Sequence, residues 1–128
     1  MQRINNPAIL EIIEELKRDM KIKSIRVLET NSFAVKSSAV FGFGNSALVL
    51  LRGNNMFRYS EIRMILAHEF AHHKLKHTLK AFIFSRILPP SLMGKLLRKF
   101  ERDADSLAKK YVCDRIAYDD LMISIRRN

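Results

Sequence analysis

Apolar residues recur at helical spacing near the start of the chain, at Ile9, Leu10, Ile12, Ile13, Leu16 and Met20. With Asn6 as a cap and Pro7 at the first helical position, this spacing predicts an amphipathic helix over residues 7–20. From Ser24 to Arg52 the pattern changes. "SIRVLE", "SFAVKSSAVFGFG" and "SALVLLR" are rich in β-branched and aromatic residues. They predict three or four short strands, the last of them buried, with Gly42, Gly44 and Asn45 as turn signals. Gly53-Asn54-Asn55 ends the sheet. Residues from Ser60 to about Leu79 contain neither Gly nor Pro and predict a second helix, with Ser60 as a weak cap. Pro89-Pro90 forces a break, and Ser91 is the cap expected for a third long helix reaching Val112. Leu97, Phe100, Ala104, Leu107, Ala108 and Tyr111 form its apolar stripe. The last stretch, residues 113–128, fits two patterns. Leu121, Ile123 and Ile125 alternate like a strand, while Leu121, Met122 and Ile125 suit a helical turn.

The expected fold is therefore α+β: a small twisted sheet packed on helices, with residues 1–112 as one domain and 113–128 as a short tail or helix. Ile116, Tyr118, Leu121, Met122, Ile123 and Ile125 make that tail too apolar to hang in water. It is expected to shield the active-site cleft as a self-inhibiting, latency-conferring cover, in its own chain or in a swapped homodimeric neighbour. A chain of 128 residues with 48% hydrophobic residues suits one folded domain. Its longest apolar runs, "AVF", "ALVLL" and "AFIF", are far shorter than the ~20 residues of a spanning helix. No basic start followed by an apolar core marks a secretory signal. The single cysteine, Cys113, excludes an internal disulfide and suits a reducing, cytoplasmic setting. The net charge is +10. A solvated basic face is the favoured reading, with a nucleic-acid face or a peripheral contact with anionic lipid as alternatives, and the spread of basic residues without a binding motif weakens the nucleic-acid one.

Candidate chemistry gathers in "ILAHEFAHHKLKH", residues 65–77, which holds all four histidines of the chain: His68, His72, His73 and His77. At about 100° per residue, His68 and His72 lie about 40° apart on one helix face. Met64, Ile65, Ala71, Leu75 and Leu79 share that face, so the two imidazoles point toward the core. Imidazoles at i and i+4 can hold one zinc ion from one side, and Glu69 between them can serve as general base. On a regular helix His73 and His77 point elsewhere, and they are expected to be exposed or to support the metal site indirectly. A catalytic zinc commonly takes a third protein ligand. Glu101, at the edge of the third helix's stripe, is that candidate, and Asp105 one turn on is placed to accept the Nδ1–H of a zinc-bound imidazole. The competing reading is an ion pair of Glu101 with Arg98 or Arg102.

"HEFAH" followed by "FERDADSLA" resembles the HExxH plus ExxxD pattern of gluzincin metallopeptidases, in particular the catalytic domains of the HtpX and CAAX-prenyl-protease class. The likeness covers roughly residues 24–112. His77 is similar to a third histidine of that class, and Asn31, Ser32, Phe33 and Ala34 resemble its substrate-binding edge strand. The size resembles the small soluble minigluzincins. The resemblance implies a zinc endopeptidase with one Zn2+ per chain acting on peptide or protein substrates. The chain departs from larger members by ending soon after the glutamate helix. Arg115, Tyr118 and Tyr111 are then the available oxyanion stabilisers. Two other functions stay open: a regulatory metallopeptidase cleaving one repressor-like partner, and a non-catalytic basic binding module with a structural zinc.

Overall fold

The structure is a computed structural model that describes residues 2–32, 35–53 and 57–127. Among them the elements run β1 (Gln2–Arg3), α1 (Pro7–Asp19), β2 (Arg26–Thr30), β3 (Ser38–Phe41), β4 (Leu48–Arg52), α2 (Tyr59–Lys74), α3 (His77–Phe84), α4 (Pro90–Ala108) and α5 (Arg115–Arg127). The fold is α+β, with a mixed sheet in the order β1-β2-β4-β3. β2 and β4 run parallel, and β1 and β3 pair antiparallel at the two edges.

Local chemistry explains most boundaries. Asn6 caps α1 by accepting the Ala8 N–H at 2.9 Å, with Pro7 at the first position. The β3–β4 hairpin turns through Gly42 and Gly44, both at positive φ. A Cβ on Gly42 would sit 2.7 Å from the Ser46 carbonyl oxygen, so only glycine fits there. α2 begins one residue before the expected Ser60, where Glu61 accepts the Arg58 N–H at 2.9 Å. α4 begins at Pro90 after Pro89 rather than being capped by Ser91. Proline's fixed φ and missing N–H suit that first turn. Asn54 and Asn55 of the expected sheet terminator lie outside the described residues.

One helix differs from expectation in a way that matters. The predicted helix from Ser60 to Leu79 is two helices. α2 stops at Lys74, Lys76 takes a left-handed conformation at φ 58°, and α3 starts at His77. No glycine or proline marks this corner. A left-handed lysine costs roughly 1 kcal/mol, and the corner sets His77 against Phe100 and His72.

α2 is the central element. Every residue from Met64 to His72 is buried, so it is covered all round rather than along one stripe. α1, α4 and β3 pack against it. Leu16, Met20, Val49, Leu51, Ile65, Leu66 and Phe70 are among the largest fully buried side chains of the core. The tail resolves as helix α5. Tyr118 at 0% exposure and Met122 at 5% sit inside that same core, and the i, i+4 spacing wins over alternation. No helix among the described residues is long and apolar enough to cross a membrane.

Candidate metal centre

α2 and α4 pack side by side, and this brings three side chains to one point. His72 Nε2 lies 3.1 Å from His68 Nε2. Glu101 Oε1 lies 3.1 Å from His72 Nε2, and Glu101 Oε2 lies 3.3 Å from His68 Nε2. Among the described residues, these three form a group able to hold one metal ion. A tetrahedral zinc with ligands at about 2.0–2.1 Å requires neighbouring ligand atoms about 3.3–3.4 Å apart. The His68–His72 separation is within a few tenths of an ångström of that, and the Glu101 carboxylate straddles the pair with one oxygen toward each imidazole. The donor set of two imidazole nitrogens and one carboxylate also suits zinc. Both histidines are buried while Glu101 is half exposed, so the triangle opens on one side.

Each imidazole has a partner at its other nitrogen. His68 Nδ1 is 3.0 Å from Asp105 Oδ1, and Tyr118 donates its hydroxyl to the same oxygen at 2.8 Å. His68 Nδ1–H donating to Asp105 leaves the Nε2 lone pair facing the triangle. His72 Nδ1 is 2.8 Å from His77 Nδ1, a contact that the corner at Lys76 makes possible. His77 is also stacked on Phe100, with ring centroids 4.3 Å apart. Burial, and then the nearby charge of His72, lower the His77 pKa to about 4. A neutral His77 can accept the His72 Nδ1–H, which again turns an Nε2 lone pair inward.

The electrostatics of these side chains are those of clustered opposite charges. Burial acts to lower the His68 pKa, but hydrogen bonds to Asp105 and Glu101 and the charge of Glu69 outweigh it, raising the value to about 9. Burial acts to raise Glu101, and the two imidazoles outweigh it, holding the carboxyl well below its usual range. Asp105 is lowered in the same way, against burial, by His68, Tyr118 and Arg126.

Glu69 is buried beside the triangle, and its Oε1 accepts the Ser38 hydroxyl from β3 at 2.9 Å. It lines two cavities that flank the site. One, about 500 Å³, runs between Val40, Thr78, Ala81, Leu97 and Phe100. The other, about 300 Å³, is bounded by Ser37, Ser38, Met122, Ile125 and Arg126. His68, Glu69 and Glu101 line both, so the two are halves of one cleft.

Several candidates sit elsewhere than the sequence suggested. Tyr118 is fully buried with its hydroxyl on the Nδ1 side of His68, away from the triangle. An oxyanion role does not suit that position, because the hydroxyl is already committed to Asp105. Arg115 is exposed at the start of α5 and lines neither half of the cleft. Tyr111 lies in the 3-10 turn after α4 and is also not a cleft residue. Asn31 and Ser32 follow β2 in an irregular connection, and Phe33 and Ala34 lie outside the described residues. The sheet edge beside Glu69 is β3, Ser38–Phe41. Arg126 was not expected. It donates to Glu101 Oε2 at 3.0 Å and to Asp105 Oδ2 at 2.9 Å, taking the place expected for Arg98 or Arg102. Its signal was the i, i+4, i+8 series Tyr118, Met122 and Arg126, legible only once the tail is read as helix.

The family model of peptidase family M48 matches residues 4–97. The chain belongs to peptidase family M48. This M48 domain carries its HExxH motif, residues 68–72, within the matched segment, and Glu101 and Asp105 lie just beyond it. Members of the family are zinc-dependent metallopeptidases. No curated protein and no solved structure matched the M48 domain.

Proposed function

We propose that this M48 domain is a zinc endopeptidase, with one Zn2+ held by His68, His72 and Glu101. The observation that carries the reading is the convergence of the two Nε2 atoms, 3.1 Å apart, with a carboxylate that sets Oε1 3.1 Å from His72 and Oε2 3.3 Å from His68. When bound there, zinc supplies Lewis-acid activation of water and of the scissile carbonyl. Glu69, held by Ser38, takes the attacking water's proton and passes it to the leaving amine. Asp105 and His77 fix the two imidazoles in the tautomer that keeps Nε2 free. Arg126, which donates to both Glu101 and Asp105, holds the two carboxylates in place beside the imidazoles.

The substrate is an extended segment of peptide or protein adding to β3 as an edge strand. Asn31, Ser32, Phe33 and Ala34, which precede β3 in the sequence, are proposed to contact the same substrate segment. The cleft half lined by Val40, Ala81, Leu97 and Phe100 takes an apolar side chain. The lone exposed Cys113 supports a cytoplasmic setting. A closed structural zinc site is the weaker reading, because Cys113 lines a separate groove with Ala8 and Tyr59 and cannot supply a fourth ligand. A regulatory peptidase with one partner would use the same chemistry, and nothing in the cleft favours it.

Metal analysis of purified protein tests the assignment. The wild type is expected to hold one zinc per chain, and Glu101→Ala to lose it. Unchanged zinc affinity in Glu101→Ala would remove Glu101 from the site.

A further inference from the structure

The connection between α3 and α4 is unlike the rest of the surface. Phe82, Ile83, Phe84, Ile87 and Leu92 are all exposed, Ile87 at 70%. They lie in one continuous exposed tip broken only by half-buried Leu88. An apolar patch of this kind, on a chain with a well-filled core elsewhere, marks a surface that meets something. The charge around it says what. From residue 70 to residue 100 there is no Asp or Glu, while Lys74, Lys76, Lys80, Arg86, Lys95, Arg98 and Lys99 are present. Arg86 lies over the Phe82 ring at 4.6 Å, so a cation accompanies the apolar tip itself. A groove of about 550 Å³ lined by Lys21, Lys23, Lys74 and Lys76 adjoins it through Phe43, whose ring centroid is 6.0 Å from that of Phe82.

We propose that the α3–α4 tip is a peripheral membrane-docking element, which inserts its apolar side chains into an anionic lipid surface while the lysine groove receives headgroups. Exposed apolar residues ringed by Lys and Arg match the chemistry of an interfacial anchor. A second copy of this chain is the poorer occupant, because the same acid-free basic segment would face itself. No helix among the described residues is long and apolar enough to cross a membrane, so docking is interfacial. Thr78 and Ala81 of α3 and Leu97 of α4 line the cleft from the same hairpin. If the peptidase reading holds, docking would set the cleft beside the bilayer and favour substrate segments presented at a membrane surface.

Vesicle flotation of the full chain carrying Glu69→Gln tests this without relying on activity. The vesicles are phosphatidylcholine alone, or phosphatidylcholine with about 30% phosphatidylserine. The chain is expected to float with the anionic vesicles and not the zwitterionic ones, less so as salt rises. Ile83→Ser with Ile87→Ser is expected to weaken binding about tenfold or more, and Lys80→Glu with Arg86→Glu to do the same. Both variants change exposed residues, and zinc content and circular dichroism confirm that they fold. Failure of the chain to float, or flotation unaffected by the Ile83/Ile87 changes, overturns the proposal. So does a concentration-dependent dimer, lost in the Ile83/Ile87 variant, without vesicle binding. Zinc-loaded wild-type chain that floats with anionic vesicles but hydrolyses no peptide would refute the peptidase reading alone.

Discussion

His68 shows how closely metal, proton and partner are linked in this site. In the metal-free chain its pKa is raised to about 9, so at neutral pH it carries a proton. Zinc needs the neutral ring, so binding must release that proton. Zinc affinity is therefore expected to rise about tenfold per pH unit toward pH 9 and then level off. Competition with a chromophoric chelator across pH checks this, and a flat profile between pH 6 and 8 would contradict it. The same assay tests His77. Its Nδ1, 2.8 Å from His72 Nδ1, orients the second ligand. His77→Phe is expected to lower zinc affinity roughly 10–100-fold, and unchanged affinity would leave His77 a packing residue. His68, Glu69, His72, Glu101 and Asp105 could all be placed from spacing alone, because each lies on a regular helix where 100° steps hold. His77 could not, because a left-handed lysine leaves no mark in the sequence.

At the scale of elements, the corner at Lys76 and the helix α5 carry the clearest consequences. Lys76 sits at φ 58° and ψ 34°, a conformation glycine adopts without steric cost. Lys76→Gly is expected to leave the fold intact and to raise stability by up to ~1 kcal/mol, while Lys76→Val destabilises by at least as much. Thermal unfolding of the two variants checks the order. For α5 the sequence pattern was ambiguous over a short segment, and burial decided it. Tyr118 and Met122 fill core space that the first four helices and the sheet leave open. Each buried side chain of this kind is worth ~1.5–3 kcal/mol. A chain ending at Arg115 is therefore expected to melt well below the full chain. An unchanged melting temperature with faster cleavage would instead make residues 116–128 a removable cover over the cleft, whether folded on their own chain or exchanged with a neighbour.

For the whole molecule, the site couples stability to pH in two opposite directions. The raised His68 pKa contributes stability that is complete below about pH 6.5 and is lost as pH rises through about 9. His77, lowered to about 4, favours the folded chain above about pH 6.5 and penalises it as pH falls toward 4. Metal-free protein is expected to be most stable near pH 6.5 and to lose stability on both sides. Zinc removes the alkaline limb, because the His68 ring is then held neutral in the folded state. Melting curves of both forms across pH check this. The central claim, that His68, His72 and Glu101 bind zinc while Glu69 does the proton transfer, is tested most directly by comparing zinc-loaded wild type with Glu69→Gln on an unstructured protein substrate. Both are expected to hold one zinc per chain, with cleavage by the variant ~10²–10⁴-fold slower. Equal cleavage by the two proteins at equal zinc content would contradict it.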